Sequence, residues 1–205
     1  MLAELRQDIN LGDSTMGELG RRPGIVNPLS GEHITILEAG TDGDVLVWEL
    51  LLTPGGRVPS AHIHPQQEER FTVKEGRMRF RVGRRTITAE PGDTVVVPPH
   101  TPHHFSNPGP AVARAEVRTV PALDMAELLE TAAAIAREQL AAGRVLPRLG
   151  VMALFMRDFE TEVAAPFAPG LVRCAARGLA AAAERRGPGL RYRALRGNGG
   201  NHAFR

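Results

Sequence analysis

The sequence has few residues of the kinds that stabilise small secreted proteins. Only one of its 205 residues is a cysteine, Cys174, which excludes an intramolecular disulfide and a cysteine-based zinc knuckle. Cys174 follows Val172 in an apolar stretch, which predicts a buried structural thiol. Aromatic residues make up 4% of the chain and hydrophobic residues 42%, so the core has to rest mainly on aliphatic side chains.

Hydrophobic runs of membrane-spanning length are also missing. The longest nearly apolar run, residues 151–156, is far shorter than the roughly 20 residues that a spanning helix needs. The first ten residues carry Glu4 and Asp8 and lack the apolar core of a signal peptide. We therefore expect a cytoplasmic protein with no membrane partner.

The charge pattern does not favour a nucleic-acid partner. The formal net charge is +2 at pH 7, and a stretch of arginines without acids follows Glu184. Because this stretch has few aromatic residues to stack on bases and no known binding motif, we interpret it as a solvated end of the chain. The expected partner is a small-molecule substrate.

The chain changes character near Pro121. Before it, short runs rich in β-branched residues alternate with glycine and proline turns, which predicts a mainly β sandwich or barrel. The expected strands are 33–37, 45–52, 70–73, 78–82, 86–89, 94–97 and 112–120. We predict a barrel with an N-terminal arm over residues 1–121.

After Pro121 the apolar residues recur with helical spacing, which predicts about three α-helices. The first is expected to begin at Asp124, where Glu127 completes a capping box, and to end at Gly143. The other two are expected over 149–159 and 171–183. We predict a helical extension over residues 122–196, packed on the barrel or on a second subunit, and a disordered tail over 197–205.

Five of the seven histidines lie between His62 and His104. His62 and His64 alternate along one segment and so project from the same face. Glu69 follows a turn, and His103 begins a later strand. Three imidazoles and one carboxylate suit Fe, Mn, Ni, Zn, Co or Cu, and leave positions open for substrate or water. The pattern predicts one divalent transition metal ion held by these four residues.

The spacing around these residues is regular over two blocks. The first reads Gly56, five residues, His62-Ile63-His64, four residues, Glu69, six residues, Gly76. The second reads Gly92, five residues, Pro98, then His103 and, three residues beyond it, Asn107. Together they resemble the two signature motifs of the cupin superfamily, with His100 standing where the second motif usually carries glycine.

The resemblance covers about residues 24–121. It implies a double-stranded β-helix, or jelly-roll barrel, in which His62, His64, Glu69 and His103 are the metal ligands. More loosely, the whole chain resembles bacterial single-barrel, quercetin-dioxygenase-like cupins with a helical C-terminal extension. The family resemblance also implies a homodimer.

Residues around the expected metal site suggest a catalytic group and a pocket. Glu69, if loosely bound, and His100, in a turn at the barrel rim, are candidate acid–base groups. Alternation from Glu69 predicts an apolar pocket wall, although plain core packing explains the same residues: Trp48, Phe71, Met78, Phe80 and Phe105. Such a wall favours a largely apolar or aromatic substrate.

Three functions remain open at this point. The favoured one is a dioxygenase-type oxidoreductase, in which a redox metal binds substrate and oxygen. The alternative is a non-redox isomerase, cyclase or lyase, in which the metal acts as a Lewis acid. The third is a small-molecule binding module with the metal as its anchor.

Overall fold

The computed structural model describes residues 24–39, 44–58, 60–144, 146–166 and 170–197. The predicted N-terminal arm before residue 24 and the predicted tail after Gly197 lie outside the described residues. The described part contains nine strands: β1 (Ile25–Asn27), β2 (Glu32–Ala39), β3 (Leu46–Leu52), β4 (Glu68–Glu75), β5 (Met78–Val82), β6 (Arg85–Ala89), β7 (Thr94–Val97), β8 (His103–Ser106) and β9 (Ala113–Val120).

The strands form two antiparallel sheets. The larger sheet has the order β1-β2-β3-β9-β4-β7, and the smaller has the order β6-β5-β8. The mainly β prediction is confirmed, and each strand expected from the sequence is found with small changes at its ends. Strand β1 was not predicted, because three residues are too few to show an alternating pattern.

Alternation along the strands builds the core between the sheets. On β3, Trp48, Leu50 and Leu52 point inward and are at most 2% exposed. They pair across β9 with small or β-branched residues, Ala113, Ala115 and Val117, which leave room for the larger side chains. Three phenylalanines fill the centre of the barrel, with ring centroids 5.2 to 6.1 Å apart: Phe71, Phe80 and Phe105.

Four helices follow the barrel: α1 (Met125–Ala141), α2 (Leu149–Asp158), α3 (Gly170–Glu184) and α4 (Gly187–Gly197). The prediction of three helices missed α4, since Gly187-Pro188-Gly189 was interpreted as a terminating loop. Proline is tolerated in the first turn of a helix, where its missing N–H costs no hydrogen bond. None of the helices in the described ranges is long and apolar enough to span a membrane.

The predicted capping box at the start of α1 does not form. Asp124 precedes the helix without a side-chain cap hydrogen bond, and its backbone N–H donates to the Glu162 carboxylate at 3.3 Å. Glu127 instead pairs with Arg196 of α4. Long-range partners from the helical extension therefore replaced the local capping interaction.

The prediction of a buried Cys174 was also wrong. Its thiol is free and exposed on α3, because the buried face of this helix carries Ala180 and Ala183.

An ionic cluster around Arg196 ties α4 to α1 and α2. The Arg196 guanidinium binds Glu127 of α1 and Asp158 of α2 and lies 5.3 Å above the ring of Phe159. Phe159 is fully buried directly after α2, so this cluster holds the end of α2 and the residues that follow it against α1 and α4.

Candidate metal centre

The structure brings three of the predicted ligands together. His62 and His64 lie on a short segment before β4, and His62 pairs with His103 of β8 in an antiparallel bridge. One ring nitrogen from each histidine lies within 4.8 Å of those of the other two. His64 and His103 are buried, at 4% and 1% exposure, whereas His62 is half-buried and forms the more solvent-accessible side of the cluster.

Glu69 completes the predicted set from β4. Its Oε2 lies 3.2 Å from Nε2 of His64 and 3.3 Å from Nε2 of His103. Its other oxygen accepts a long hydrogen bond, 3.5 Å, from the Thr119 hydroxyl. The Trp48 indole in turn donates to that hydroxyl at 3.1 Å, so the carboxylate is oriented by a row of polar groups across the larger sheet.

Backbone carbonyls fix the orientation of all three imidazoles. The Nδ1 atoms lie 3.4 Å from the Ser60 oxygen for His62, 2.5 Å from the Glu162 oxygen for His64, and 3.0 Å from the Thr101 oxygen for His103. A carbonyl oxygen can only accept, so each Nδ1 carries the ring proton in these contacts. The neutral rings therefore present the lone pair on Nε2, the arrangement typical of metal-binding histidines.

Two of these Nε2 atoms, those of His64 and His103, are buried and have no hydrogen-bond partner. When Nδ1 carries the proton, Nε2 and the adjacent Glu69 oxygen are both acceptors and cannot bond to each other. A bound cation would satisfy all of them at once, since buried polar atoms are rarely left unpaired. Nitrogen and oxygen donors of this kind fit a divalent transition metal ion.

The same contacts shift the pKa values of the site. Burial, and after it the neighbouring rings of His103 and His64, lowers the pKa of His62 to about 3. His62 is therefore neutral at pH 7, the form that binds metal. Burial alone would lower the pKa of His64, but the negative charge of Glu69 outweighs it and raises that pKa.

For the carboxyl of Glu69, burial and the neighbouring histidines also act in opposite directions on the pKa. Burial alone would raise its pKa, but His64 and His103 hold the pKa well below its usual value. Glu69 is therefore ionised at pH 7 and available as an anionic ligand.

Two other residues of the signature blocks have structural tasks. Asn107 is buried, and its amide donates to the Leu52 and Ala111 carbonyls at 2.9 and 2.7 Å, which fastens the turn after β8. His100 has a φ of 60°, a left-handed conformation that glycine adopts at no cost. This conformation explains why glycine is usual at that position of the motif.

The side chain of His100 lies apart from the ligand cluster. It is exposed, while its backbone N–H donates to the His64 carbonyl at 2.9 Å. Together with residues of α2, α3 and the segment between them, it lines a cavity of about 480 Å3. Ile63 lines the same cavity, and it points away from the face shared by its neighbours His62 and His64. The cavity thus lies behind the ligand segment.

The five predicted pocket residues are all buried in the core, at most 3% exposed: Trp48, Phe71, Met78, Phe80 and Phe105. None of them lines the cavity behind the ligand segment. Their packing explains their burial, and their role as a pocket wall stays a prediction.

The sequence interpretation missed two residues that contact the ligands. Alternation along β9 could have placed Thr119 on the inner face with Val117. No local signal marks Glu162, which lies 98 residues beyond His64 and between predicted helices.

The chain is similar to several solved structures. A sugar phosphate isomerase of the cupin superfamily from Silicibacter pomeroyi is 27% identical, with a TM-score of 0.40, and the match covers 48% of this chain and 69% of that one. KdgF from Halomonas sp. is 20% identical, with a TM-score of 0.42 and coverage of 46% and 85%. An RmlC-like cupin from Shewanella frigidimarina is 19% identical, with a TM-score of 0.45 and coverage of 51% and 88%.

No curated protein gives a significant sequence match to the chain. Residues 48–117 match the family model described as Cupin domain. This segment runs from β3 to β9 and includes all four predicted ligands. The β-barrel of this chain therefore has the cupin fold.

Proposed function

We propose that the chain binds one divalent transition metal ion through His62, His64, Glu69 and His103. The observation that carries this proposal is the pair of buried, unpartnered Nε2 atoms beside an ionised carboxylate. The three Nδ1 contacts with backbone carbonyls support it, because they keep the lone pairs directed to one point without further rearrangement.

We further propose that this centre catalyses a dioxygenase-type oxidation of a small, largely apolar or aromatic substrate. A redox metal such as iron, when bound, would supply the binding of oxygen and of substrate oxygen atoms. The residues of this chain would orient the substrate beside His62, the more accessible ligand, and Glu69 would accept a proton from a substrate hydroxyl. Thr119 would hold the carboxylate for that transfer.

The burial pattern favours an apolar substrate over a phosphorylated one. Among the described residues no arginine or lysine is buried, and the arginines of β5, Arg79 and Arg81, are exposed on the outer face. A phosphate group would need such cations beside it. The apolar core of the barrel would offer hydrophobic contact instead.

A non-redox isomerase, cyclase or lyase is the second candidate. The specific observation in its favour is the ionised Glu69 held by Thr119 at 3.5 Å, because proton transfer by a positioned carboxylate needs no oxidant. In this case the metal would stabilise an enolate.

The metal proposal is tested by elemental analysis of the purified full-length protein. We expect about one equivalent of metal per wild-type chain and none in the His62→Ala/His64→Ala double variant. The matched control is His104→Ala, which removes a half-buried imidazole next to His103 on β8 and should keep full occupancy. Stoichiometric metal in the double variant would contradict the assignment.

The type of reaction is tested by oxygen uptake of the iron-loaded protein with aromatic and polyketide-like hydroxylated compounds. Uptake that requires both substrate and the four ligands supports the dioxygenase. Turnover under strict anaerobiosis would instead support the isomerase, cyclase or lyase. Binding of a compound without product would leave a metal-anchored binding module.

A homodimer stays a prediction. Four large apolar side chains at one end of the helices are between 55% and 78% exposed: Leu140, Leu146, Leu149 and Leu190. They lie at the end of α1, just before α2, at the start of α2 and at the start of α4. A second subunit packed there would remove this apolar surface from water.

A further inference from the structure

The segment that carries two of the metal ligands is bordered on both sides by other chain segments. On one side His62 exchanges backbone hydrogen bonds with His103 at 3.1 and 2.9 Å. On the other side Ile63 exchanges backbone hydrogen bonds with Ala164 at 3.0 and 2.9 Å. The residues after α2 therefore pair, through an isolated bridge, with the segment that carries His62 and His64.

The same residues contact a ligand side chain directly. The Glu162 carbonyl accepts the Nδ1–H of His64 at 2.5 Å. It is the closest of the three Nδ1 contacts in the site. Of the three orienting carbonyls, it is the one supplied by the helical extension.

The side chain of Glu162 holds this carbonyl in place. It is 1% exposed. One carboxylate oxygen accepts the Asp124 backbone N–H at 3.3 Å and the other accepts the Thr161 hydroxyl at 2.8 Å. The Glu162 N–H donates to the Phe159 carbonyl at 3.1 Å. The carbonyl is thus fixed relative to the start of α1 and the end of α2.

We propose that Glu162 is a positioning residue of the metal centre: its carboxylate anchors the segment after α2 so that its carbonyl fixes the tautomer and orientation of His64. The helical extension then sets the metal affinity of the barrel. This inference rests on the proposed metal site. A purely structural role, covering the exposed edge of a sheet, would need the bridge to Ile63 but not the contact with the imidazole.

The test uses the full-length protein with Zn2+ as the probe. Zinc affinity is measured by competition with a chromophoric chelator, and the histidine tautomers are read from 15N–1H spectra at fixed pH. In Glu162→Ala we expect zinc affinity to fall about 10- to 100-fold, as is typical for loss of a group that orients a ligand. The slowly exchanging Nδ1–H signal of His64 should disappear with it.

Two variants serve as controls. Glu160→Ala removes an exposed carboxylate that pairs with Arg177, two residues before Glu162, and should leave both zinc affinity and the signal unchanged. Glu162→Gln keeps an oxygen that accepts the Asp124 N–H and should restore affinity to within about threefold, the rescue that a positioning role requires.

The outcomes separate the two proposals. If the wild-type protein takes up no zinc, the proposed metal site fails. If the wild type binds zinc and Glu162→Ala binds it equally well with the His64 signal intact, the positioning role is overturned. Should Glu162→Ala not fold, Thr161→Val removes one of the two carboxylate contacts. A threefold or larger loss of affinity in that variant supports the role, and unchanged affinity refutes it.

Discussion

At the scale of single residues, the barrel contains a second buried carboxyl, that of Glu32. It lies on β2 opposite Leu52, is 9% exposed, and accepts the Ser30 hydroxyl at 2.5 Å. Burial, with a further contribution from the charge of Glu69, raises the pKa of Glu32 above its ordinary value of 4.5. The residue thus lowers the stability of the folded state when it ionises.

The expected consequence is a stability that depends on pH. A carboxyl whose pKa is raised by folding stabilises the protein fully below its unfolded pKa of about 4.5, and this stabilisation is lost as the pH rises through the folded pKa. Each pKa unit by which folding raises the pKa of Glu32 lowers the free energy of unfolding of the ionised form by about 1.4 kcal/mol. Glu32→Gln, which cannot ionise, should therefore raise the free energy of unfolding at pH 8 and have little effect at pH 4.

The measurement is urea unfolding of both proteins between pH 4 and pH 8. Glu38→Gln, an exposed position on the same strand, should leave the pH dependence unchanged. If the free energies of unfolding of Glu32→Gln and wild type differ by the same amount at every pH, ionisation of Glu32 is not the cause of the pH dependence.

The clustering of His62, His64 and His103 was predictable from the sequence, but the orientation of their rings was not. Alternation at His62 and His64, with Glu69 and His103 at fixed spacing, was enough to predict the cluster. The carbonyl that orients His64 comes from a residue 98 positions away. Such a contact depends on how the helices dock, and no local pattern encodes docking.

At the scale of elements, two hairpin turns differ in how tightly they pack. Gly76, between β4 and β5, has a φ of 71°, and an added Cβ would lie 2.6 Å from the Val112 carbonyl oxygen. Gly83, between β5 and β6, has a φ of 56°, and an added Cβ would meet nothing within 4 Å. Both turns need a left-handed residue, but only the first is pressed against the backbone before β9.

This difference predicts unequal effects of alanine. Gly83→Ala should cost only the left-handed strain, about 1–2 kcal/mol. Gly76→Ala adds a clash that either Val112 or the turn must relieve, and should destabilise the fold by about 3 kcal/mol or more. The free energies of unfolding from urea titrations check this, and equal losses in the two variants would contradict the close packing of Gly76.

Elements with a regular pattern were predicted better than those without one. Strands β5 and β9 alternate cleanly and were found near their predicted ends. Helix α4 contains three charged residues in eleven and begins with glycine and proline, so its helical pattern is weak. It is stabilised by partners on other helices, such as the Glu127 and Asp158 carboxylates that bind Arg196.

At the scale of the whole molecule, the site joins the barrel to the helices. A metal ion that binds only the folded state stabilises it by about 2.7 kcal/mol at a free concentration one hundred times Kd. For a chain of this size, Tm should rise by roughly 5–10 °C. The rise should be absent in the His62→Ala/His64→Ala double variant, and calorimetry with and without Zn2+ measures it. An equal rise in the double variant would place the stabilising ion elsewhere.

The hydrogen bond between His64 and Glu162 also bears on how the protein is made. All four predicted ligands have left the ribosome before Glu162 is synthesised, and at about 5–20 residues per second the wait after His103 is roughly 3–12 seconds. During this interval the nascent barrel has its ligands but lacks the carbonyl that orients one of them. If the proposed metal site is correct, we expect tight metal capture to be a late step of biosynthesis, after synthesis of the chain beyond α2.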